Sequence, residues 1–375
     1  MENTGTGVAI DEILFEIING VGCITLNRSH AENAMTQGQA LAMSEALHRW
    51  AVDDAVFAVI MRGTAGGEAF CAGTDLPGLH AAWKANDLGR MAAISWAERQ
   101  LEQQIHTFPK PCVALIQGLV AGCGAALVVH GSHRVTAGSG RFSVPESGAG
   151  ISLSVSGTYF LPRFPGRVGL YLALTGERVG AADMLDIGVT THHIPDHRLD
   201  EVVDALLMVG LEASTVRDPH GAISCILDAY HEDPGVPVLR RHRPVLDRCF
   251  TAASVEAIVA ALAQDGGDWA LATRAELMTR SPFGLKLAFR RIQAGACLDF
   301  ERAMILECRV AAHLATHPDF GSALDAAVRG DSHYPAWHPP KLVDIDQKTI
   351  DSCFHPLAAE DTAFPCDPPN QPPIG

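Results

Sequence analysis

The sequence is short of positive charge: 28 Lys and Arg stand against 43 Asp and Glu, a formal net charge of −15. A surface of that sign repels polyanions at long range, which excludes general nucleic-acid binding and requires any anionic ligand to be held by a local site. Long apolar runs are missing too. None reaches the roughly 18 residues that cross a bilayer, and no membrane partner is expected. The opening MENTGTGVAIDEILF has neither the basic start of a secretory signal nor the arginines of a transit peptide, so the cytoplasm is the expected location. The ten cysteines include no C-x-x-C pair and read as reduced thiols in small buried places, not as a disulfide framework or a zinc site. His130, His133, His192 and His193 come with no third ligand at a suitable spacing, and no metal is expected. Also absent is G-x-S-x-G, the elbow of serine hydrolases. Ser152, Ser154 and Ser156 then read as hydrogen-bonding loop residues.

What is present is enough apolar sequence, 47% of 375 residues, to bury a substantial core in one large domain or two ordinary ones. EILFEIINGVGCITLNR alternates around Asn19-Gly20, a dipeptide suited to a tight turn, and predicts an opening β-hairpin. QALAMSEALHRWAVDD has helical spacing. After it come an apolar run FAVIMRG, a long helical stretch LPGLHAAWKANDLGRMAAISWAERQLEQQIHTF, and a second run PCVALIQG. GCGAALVVHG predicts a small-residue helix leading into short strands HRVTAG and RFSV. Strands that come singly and in short pairs, alternating with helices, define an α/β fold without a strict βαβ rhythm. From about Pro195 the pattern is helical, with LDEVVDALLMVGLEAS and SVEAIVAALAQDGGDWALATRAELM separated by HEDPGVPVLRRHRP, expected to be an exposed connection. We therefore divide the chain into a core over 1–195, a helical C-terminal region over 196–345, and a Pro-rich tail over 346–375 that is expected to be loose unless it docks on a neighbour.

Two stretches carry chemistry. In AFCAGTDLPGLHAAWK, a strand end is followed by Ala72-Gly73-Thr74, by Asp75 as a candidate N-cap, and by Pro77 in the first turn of a helix. The backbone N–H groups there have no internal partner. GLVAGCGAALVV repeats the device, with Gly118, Gly122 and Gly124 letting a ligand approach the backbone. Two such ends facing one another would form an oxyanion hole. The same glycines would also serve tight packing alone, and the residues by themselves leave both readings open. A dinucleotide-binding turn is excluded by Leu127, which stands where its third glycine is required.

TLNRSHAENAMT, AFCAGTDL, KPCVALIQGLVAGCGAALVVHG, RFSVPESGAGI and YFLPRFPGRVGLYLALTGERVGAADMLDIGVTTHHIP together resemble the enoyl-CoA hydratase/isomerase, or crotonase, superfamily. SPFGLKLAFRRIQAG, LDFERAMILECRVAAHL and DSHYPAWHPPKL resemble the C-terminal region of its 3-hydroxyisobutyryl-CoA hydrolase branch. The resemblance spans roughly residues 12 to 345. It implies a spiral of ββα units with a mainly helical C-terminal region, an acyl-CoA ligand, and a thioester oxygen held by two backbone N–H groups. Those donors match Thr74 and Cys123, and Gly122 and Asp75 lie beside them as substrate-binding positions. Cys123 departs from the family's usual Gly and is expected to narrow the pocket.

Glu146 matches the acid of the family's PE motif, and Glu98 a substrate-contacting Glu of the hydrolase branch. Read without the resemblance, Glu98 is a solvated helix charge. Ala126 stands where hydratases carry a carboxylate, which disfavours simple hydration. Ser154 stands where the hydrolase branch has an Asp, and a serine is no carboxylate base near neutral pH. The resemblance thus implies an acyl-CoA thioesterase in which Glu146 acts as general base or nucleophile while Glu98 and Ser154 position substrate or water. Coenzyme A enters only as part of the substrate, and no redox cofactor is needed. A single-glutamate enoyl-CoA isomerase and a catalytically silent acyl-CoA binder are the alternatives. A homo-oligomer is expected. Arg28, Arg62, Lys84 and Lys110 are candidate contacts for the phosphates, each also readable as an ordinary surface charge.

Overall fold

Asn19 and Gly20 both take positive φ (50° and 77°), the conformation a two-residue hairpin turn requires. They join β1 (Ile13–Ile18) to β2 (Val21–Leu26), which pair antiparallel from Ile18↔Val21 to Ile13↔Leu26. This computed structural model describes residues 12–64, 66–145, 156–211, 216–330 and 335–355. After the hairpin come α1 (Gln37–Val52), β3 (Ala58–Gly63), β4 (Ala69–Cys71), α2 (Leu76–Lys84), α3 (Leu88–His106), β5 (Cys112–Ile116), β6 (Leu119–Ala121) and α4 (Cys123–Val129). The next are β7 (His133–Thr136), β8 (Arg141–Ser143), α5 (Gly157–Phe160), α6 (Val168–Thr175), β9 (Val179–Gly180), α7 (Ala181–Asp186) and β10 (His192–His193). Helices fill most of the remainder: α8 (Leu199–Leu211), α9 (Pro219–Tyr230), α10 (Leu239–Cys249), α11 (Val255–Asp265) and α12 (Asp268–Leu277). They continue with α13 (Pro282–Gly295), α14 (Phe300–Ala315), α15 (Pro318–Arg329) and α16 (Gln347–Ser352).

Three stretches differ from the sequence reading. The single long helix expected from Leu76 onward is broken between α2 and α3, where Asn86 adopts φ 52°, a left-handed conformation that Asn tolerates and a helix does not. Gly266, also at positive φ, and Gly267 separate α11 from α12. Conversely, α10 starts within the expected connection, at Leu239, and runs on through Pro244, while residues 231–238 before it are non-helical and mostly exposed. Leu239, Leu246 and Cys249 lie on its buried side, and that apolar spacing outweighs the one hydrogen bond that proline removes.

The chain forms two compact units that interleave along the sequence. The first takes residues 1–75, 97–143 and 178–240 and holds every strand named above. Among the described residues these form a six-stranded sheet in the order β1-β2-β3-β5-β7-β10 and a four-stranded sheet in the order β4-β6-β8-β9. Successive strand pairs β3/β4, β5/β6 and β7/β8 each give one strand to each sheet. That is the ββα repeat expected above. The larger sheet is parallel beyond β2 and buried on both faces, so its strands read as apolar runs rather than alternating ones. Val21, Cys23, Ile60, Val113, Leu115 and Val135 face α8 and α9, whose Leu199, Val202, Leu206, Ile223 and Leu227 complete that core. The opposite face receives α1: the Trp50 ring lies where a side chain at Gly22 would have to go. A reciprocal capping box starts α1, Thr36 Oγ1 accepting from the Gln39 N–H while Gln39 Oε1 accepts from the Thr36 N–H.

The second unit takes residues 76–96, 144–177 and 241–375. Its core joins Leu79 and Ala82 of α2 to Phe283, Leu287, Val310, Leu314, Phe320 and Leu324. Within it Arg291 and Glu307 form a buried ion pair, and Glu307 Oε1 also accepts from the Thr158 N–H at 2.7 Å. The remaining lone pairs of that carboxylate are thus largely satisfied, as a buried charge requires.

Histidines pin α9 to the edge of the larger sheet. His133 on β7 meets Ser132 Oγ at 2.9 Å and Ser224 Oγ at 3.0 Å and stacks on His220, while His192 on β10 meets Asp228 at 3.1 Å. Burial, reinforced by repulsion from His220 and His192, lowers the pKa of His133 to about 4. Because the folded value lies below the ordinary 6.5, the contribution of His133 to stability is complete above about pH 6.5 and is lost as pH falls toward 4, by at most about 3 kcal/mol. Urea midpoints measured from pH 7.5 to 4.5 are expected to fall less steeply in His133→Gln than in the parent. Parallel curves would show that His133 carries none of the acid sensitivity.

Candidate active site

The site begins with two short strands. β4 and β6 pair in parallel, Ala69↔Leu119 and Cys71↔Val120, so the loops that leave their ends start side by side, about 5 Å apart. The loop after β4 is held by the segment that the motif TLNRSHAENAMT encodes. Ala72 donates to Glu32 O at 3.0 Å, Met35 donates to Gly73 O at 2.7 Å, and Asp75 donates to Met35 O at 2.9 Å. Asn33 supports the ladder by donating to Ala69 O and accepting from the Arg28 N–H. A parallel bridge of this kind turns the N–H of the residue between, Thr74, to the opposite side.

After β6, Gly122 takes φ 53° and ψ −131°, a conformation that L side chains rarely adopt, and starts α4 at Cys123. The Cys123 N–H is therefore a first-turn donor with no acceptor inside its helix. Among the described residues neither the Thr74 N–H nor the Cys123 N–H has an acceptor. Gly124 allows the two loops their close approach: a Cβ there would stand 2.4 Å from Cys71 O and 2.8 Å from Cys71 Cβ.

Behind these donors lie side chains that sequence reasoning placed in solvent or passed over. Glu98 is 2% exposed and Glu102 is fully buried, one helical turn apart on the Ala97–His106 part of α3. The Cys123 thiol is not extended alone into a pocket; it is hydrogen-bonded with Cys71. That bond first, then burial, then the electrostatic influence of Glu98, of Cys71 and of Glu102 raise its pKa well above the ordinary value. A thiol so raised stays protonated and is a poor nucleophile. Glu102 and Cys71 were not singled out from the sequence. The one signal available was the i, i+4 spacing of Glu98 and Glu102 beside the apolar Leu101 and Ile105, which puts both acids at the edge of an apolar stripe. Ala126, the position that lacks a hydratase carboxylate, is buried and apolar on α4.

Asp75 is held by Arg28, whose Nη1 lies 2.8 Å from Asp75 Oδ1 and also donates to Ala34 O. Three of the four candidate phosphate contacts have local work in the fold. Besides Arg28, Lys110 donates to Trp50 O and Asp53 O at 2.7 Å each and closes the C-terminal end of α1, and Lys84 pairs with Asp325. Arg62 reaches Thr25 Oγ1 at 3.4 Å. His130 is lowered to about 3 by burial and His193 Nδ1 meets Glu232 O, so these histidines have packing roles as well. Among the described residues no group of three or more His, Cys, Asp or Glu is arranged to hold a metal ion. Glu146 and Ser154 lie outside the described residues.

The family model described as enoyl-CoA hydratase/isomerase matches residues 21–354. The 3-hydroxyisobutyryl-CoA hydrolase, mitochondrial, of Danio rerio is 36% identical over 356 residues, covering 93% of this chain and 91% of that protein. The Homo sapiens protein of the same name is 31% identical over 362 residues, covering 95% and 92%. Among solved structures, a carnitinyl-CoA dehydratase from Mycobacterium thermoresistibile has a TM-score of 0.85 at 30% identity, covering 93% of this chain and 98% of its own. An enoyl-CoA hydratase from Rhodobacter sphaeroides 2.4.1 has a TM-score of 0.82 at 28% identity, covering 92% and 98%. The chain belongs to the enoyl-CoA hydratase/isomerase family and has the crotonase fold. Within that family, the curated relatives named here match it across nearly its whole length.

The close approach at Gly124 is the feature most easily tested. Gly124→Ala forces a methyl group against the backbone of Cys71 and is expected to destabilise the protein by about 2 kcal/mol. Gly89→Ala, where a Cβ meets nothing nearer than 3.5 Å and the backbone is helical, is expected to be neutral or slightly stabilising. Thermal or urea denaturation of the two variants checks the contrast, and equal stabilities would mean that the two loops are not in contact.

Proposed function

We propose that the protein hydrolyses an acyl-CoA thioester of the 3-hydroxyacyl type, as the names of its full-length relatives state for them. The observation that carries this reading is the pair of backbone N–H groups, Thr74 and Cys123, without an acceptor among the described residues and leaving two hydrogen-bonded strand ends. In this reading both donate to the thioester oxygen and stabilise the negative charge that grows there as the carbonyl carbon becomes tetrahedral. One such donor is worth about 3 kcal/mol, or roughly a hundredfold in rate. Glu146 takes a proton from water as the water attacks, or attacks the carbonyl itself and is later released by water. In either case the C–S bond breaks and coenzyme A leaves. Glu98 accepts a hydrogen bond from the substrate hydroxyl, and Ser154 orients the same group or the attacking water. The chemistry consumes only water.

A second reading follows from position 126. With an apolar residue there and Ser at 154, Glu146 would be the one acid available to shuttle a proton along an acyl chain, as in an enoyl-CoA isomerase. A panel of saturated, 3-hydroxy and 3-enoyl CoA esters, followed for free thiol and for double-bond absorbance, separates the two. The proposal expects CoA release from short 3-hydroxyacyl-CoAs, reduced at least about a thousandfold in Glu146→Ala and accelerated in Ser154→Asp. Conjugation of 3-enoyl-CoA without CoA release would favour the isomerase. Hydrolysis unaffected in Glu146→Ala would remove Glu146 from the mechanism.

A further inference from the structure

Glu32 and Asn33 are consecutive residues at positive φ, 52° and 54°, a conformation that costs energy for residues with side chains and persists only where the surroundings over-determine it. What holds this turn converges on Arg28. Its carbonyl oxygen accepts from the Ala31 and Asn33 N–H groups, both at 3.0 Å, and its N–H donates to Asn33 Oδ1 at 2.7 Å. The guanidinium then reaches out of the turn: Nη1 donates to Ala34 O at 3.1 Å and to Asp75 Oδ1 at 2.8 Å. One nitrogen thus ties the residue before Met35 to the residue after Thr74, across the bridge that turns the Thr74 N–H outward. The Arg28 and Asp75 side chains are only 16% and 17% exposed, so solvent screens their attraction weakly. The third charged group beside them is Glu12, whose Oε1 lies 3.7 Å from Arg28 Nε.

We infer that Arg28 is a positioning residue for the oxyanion donor at Thr74, and that it acts through Asp75. This deepens the hydrolase reading and rests on it for the role of that donor. The ion pair does two things. It fastens the Thr74 loop to the strained turn, so that the N–H keeps its direction before a ligand arrives. It also offsets a charge: the Asp75 carboxylate belongs to the residue next to the donor, and a negative charge there opposes the negative oxygen that forms at the Thr74 and Cys123 N–H groups. Arg28 sets the opposite charge against it at hydrogen-bond distance. Asp75 is thereby given to the support of the donor in place of the substrate contact expected from sequence, and Arg28 to Asp75 in place of a phosphate.

The two effects separate in a cycle of variants assayed for CoA release from a short 3-hydroxyacyl-CoA. Arg28→Gln loses both tether and charge, and is expected to lower kcat about thirtyfold, short of the hundredfold or more for losing a donor outright, with KM changed less than about threefold. Asp75→Asn keeps an acceptor for Arg28 and removes the opposing charge, so its loss should be about threefold. The double variant should be more active than Arg28→Gln alone, by about threefold or more, because neutrality is restored. Arg28→Lys, which keeps the charge without the planar fork, should fall between the parent and Arg28→Gln. A purely structural tie predicts the opposite order, with no gain from the second substitution. Hydrogen exchange reads the tether without substrate: the Met35 and Asp75 amides, which close the bridge, should exchange at least about tenfold faster in Arg28→Gln, while the Val59 amide in the larger sheet is unchanged.

The inference is overturned if kcat of Arg28→Gln stays within about twofold of the parent, if the double variant is no more active than Arg28→Gln, or if exchange at Met35 and Asp75 is unaltered. Where Arg28→Gln fails to fold, the kcat and exchange of Arg28→Lys against Asp75→Asn decide, and equal losses in the two overturn it. If the parent turns over no thioester yet exchange accelerates as described, the hydrolase reading falls and the tether stands.

Discussion

The parallel pairing of β4 with β6 is the constraint on which the candidate site depends. Two strands of three residues each contribute little stability alone, but their register sets where the following loops begin. The Arg28–Met35 segment then fixes one loop by backbone hydrogen bonds, and the left-handed Gly122 turns the other directly into a helix. The Thr74 and Cys123 donors are thus held before any ligand arrives, and preorganised donors of that kind need no rearrangement at the moment charge develops.

The same geometry explains what surrounds the donors. Space between the loops is so small that position 124 must be glycine, and the Cys123 thiol is drawn toward Cys71. Near them α3 carries two buried acids, Glu98 and Glu102. A buried carboxylate costs several kcal/mol unless it is paired, hydrogen-bonded or protonated.

Much of the fold was legible because it is periodic. The hairpin declared itself by Asn19-Gly20, the buried strands by their apolar runs, and the helices by their stripes, since local preference and tertiary burial agree in those stretches. Breaks were less visible. Asn86 interrupts a helical pattern that otherwise continues in sequence on both sides, and α10 forms through LRRHRP because Leu239 and Leu246 are buried, which no charge pattern reveals. For the site, the family resemblance pointed to Thr74 and Cys123 but not to what holds them. Glu98 looks like a solvated charge in sequence and is buried in the structure, and Glu102 went unnoticed for the same reason: a helix wheel shows which residues share a face, not how deep that face lies. Arg28, Lys84 and Lys110 illustrate the converse. They read as available cations until their partners, Asp75, Asp325 and the end of α1, are seen.

The most direct measurement of the central claim is the infrared stretch of a carbon-13-labelled thioester carbonyl bound to a Glu146→Gln protein. Two preorganised N–H donors in a water-excluded site should lower that frequency clearly below its value in water. A bound thioester whose carbonyl vibrates at the solution frequency would contradict the account, because the donors at 74 and 123 would then not be acting on it.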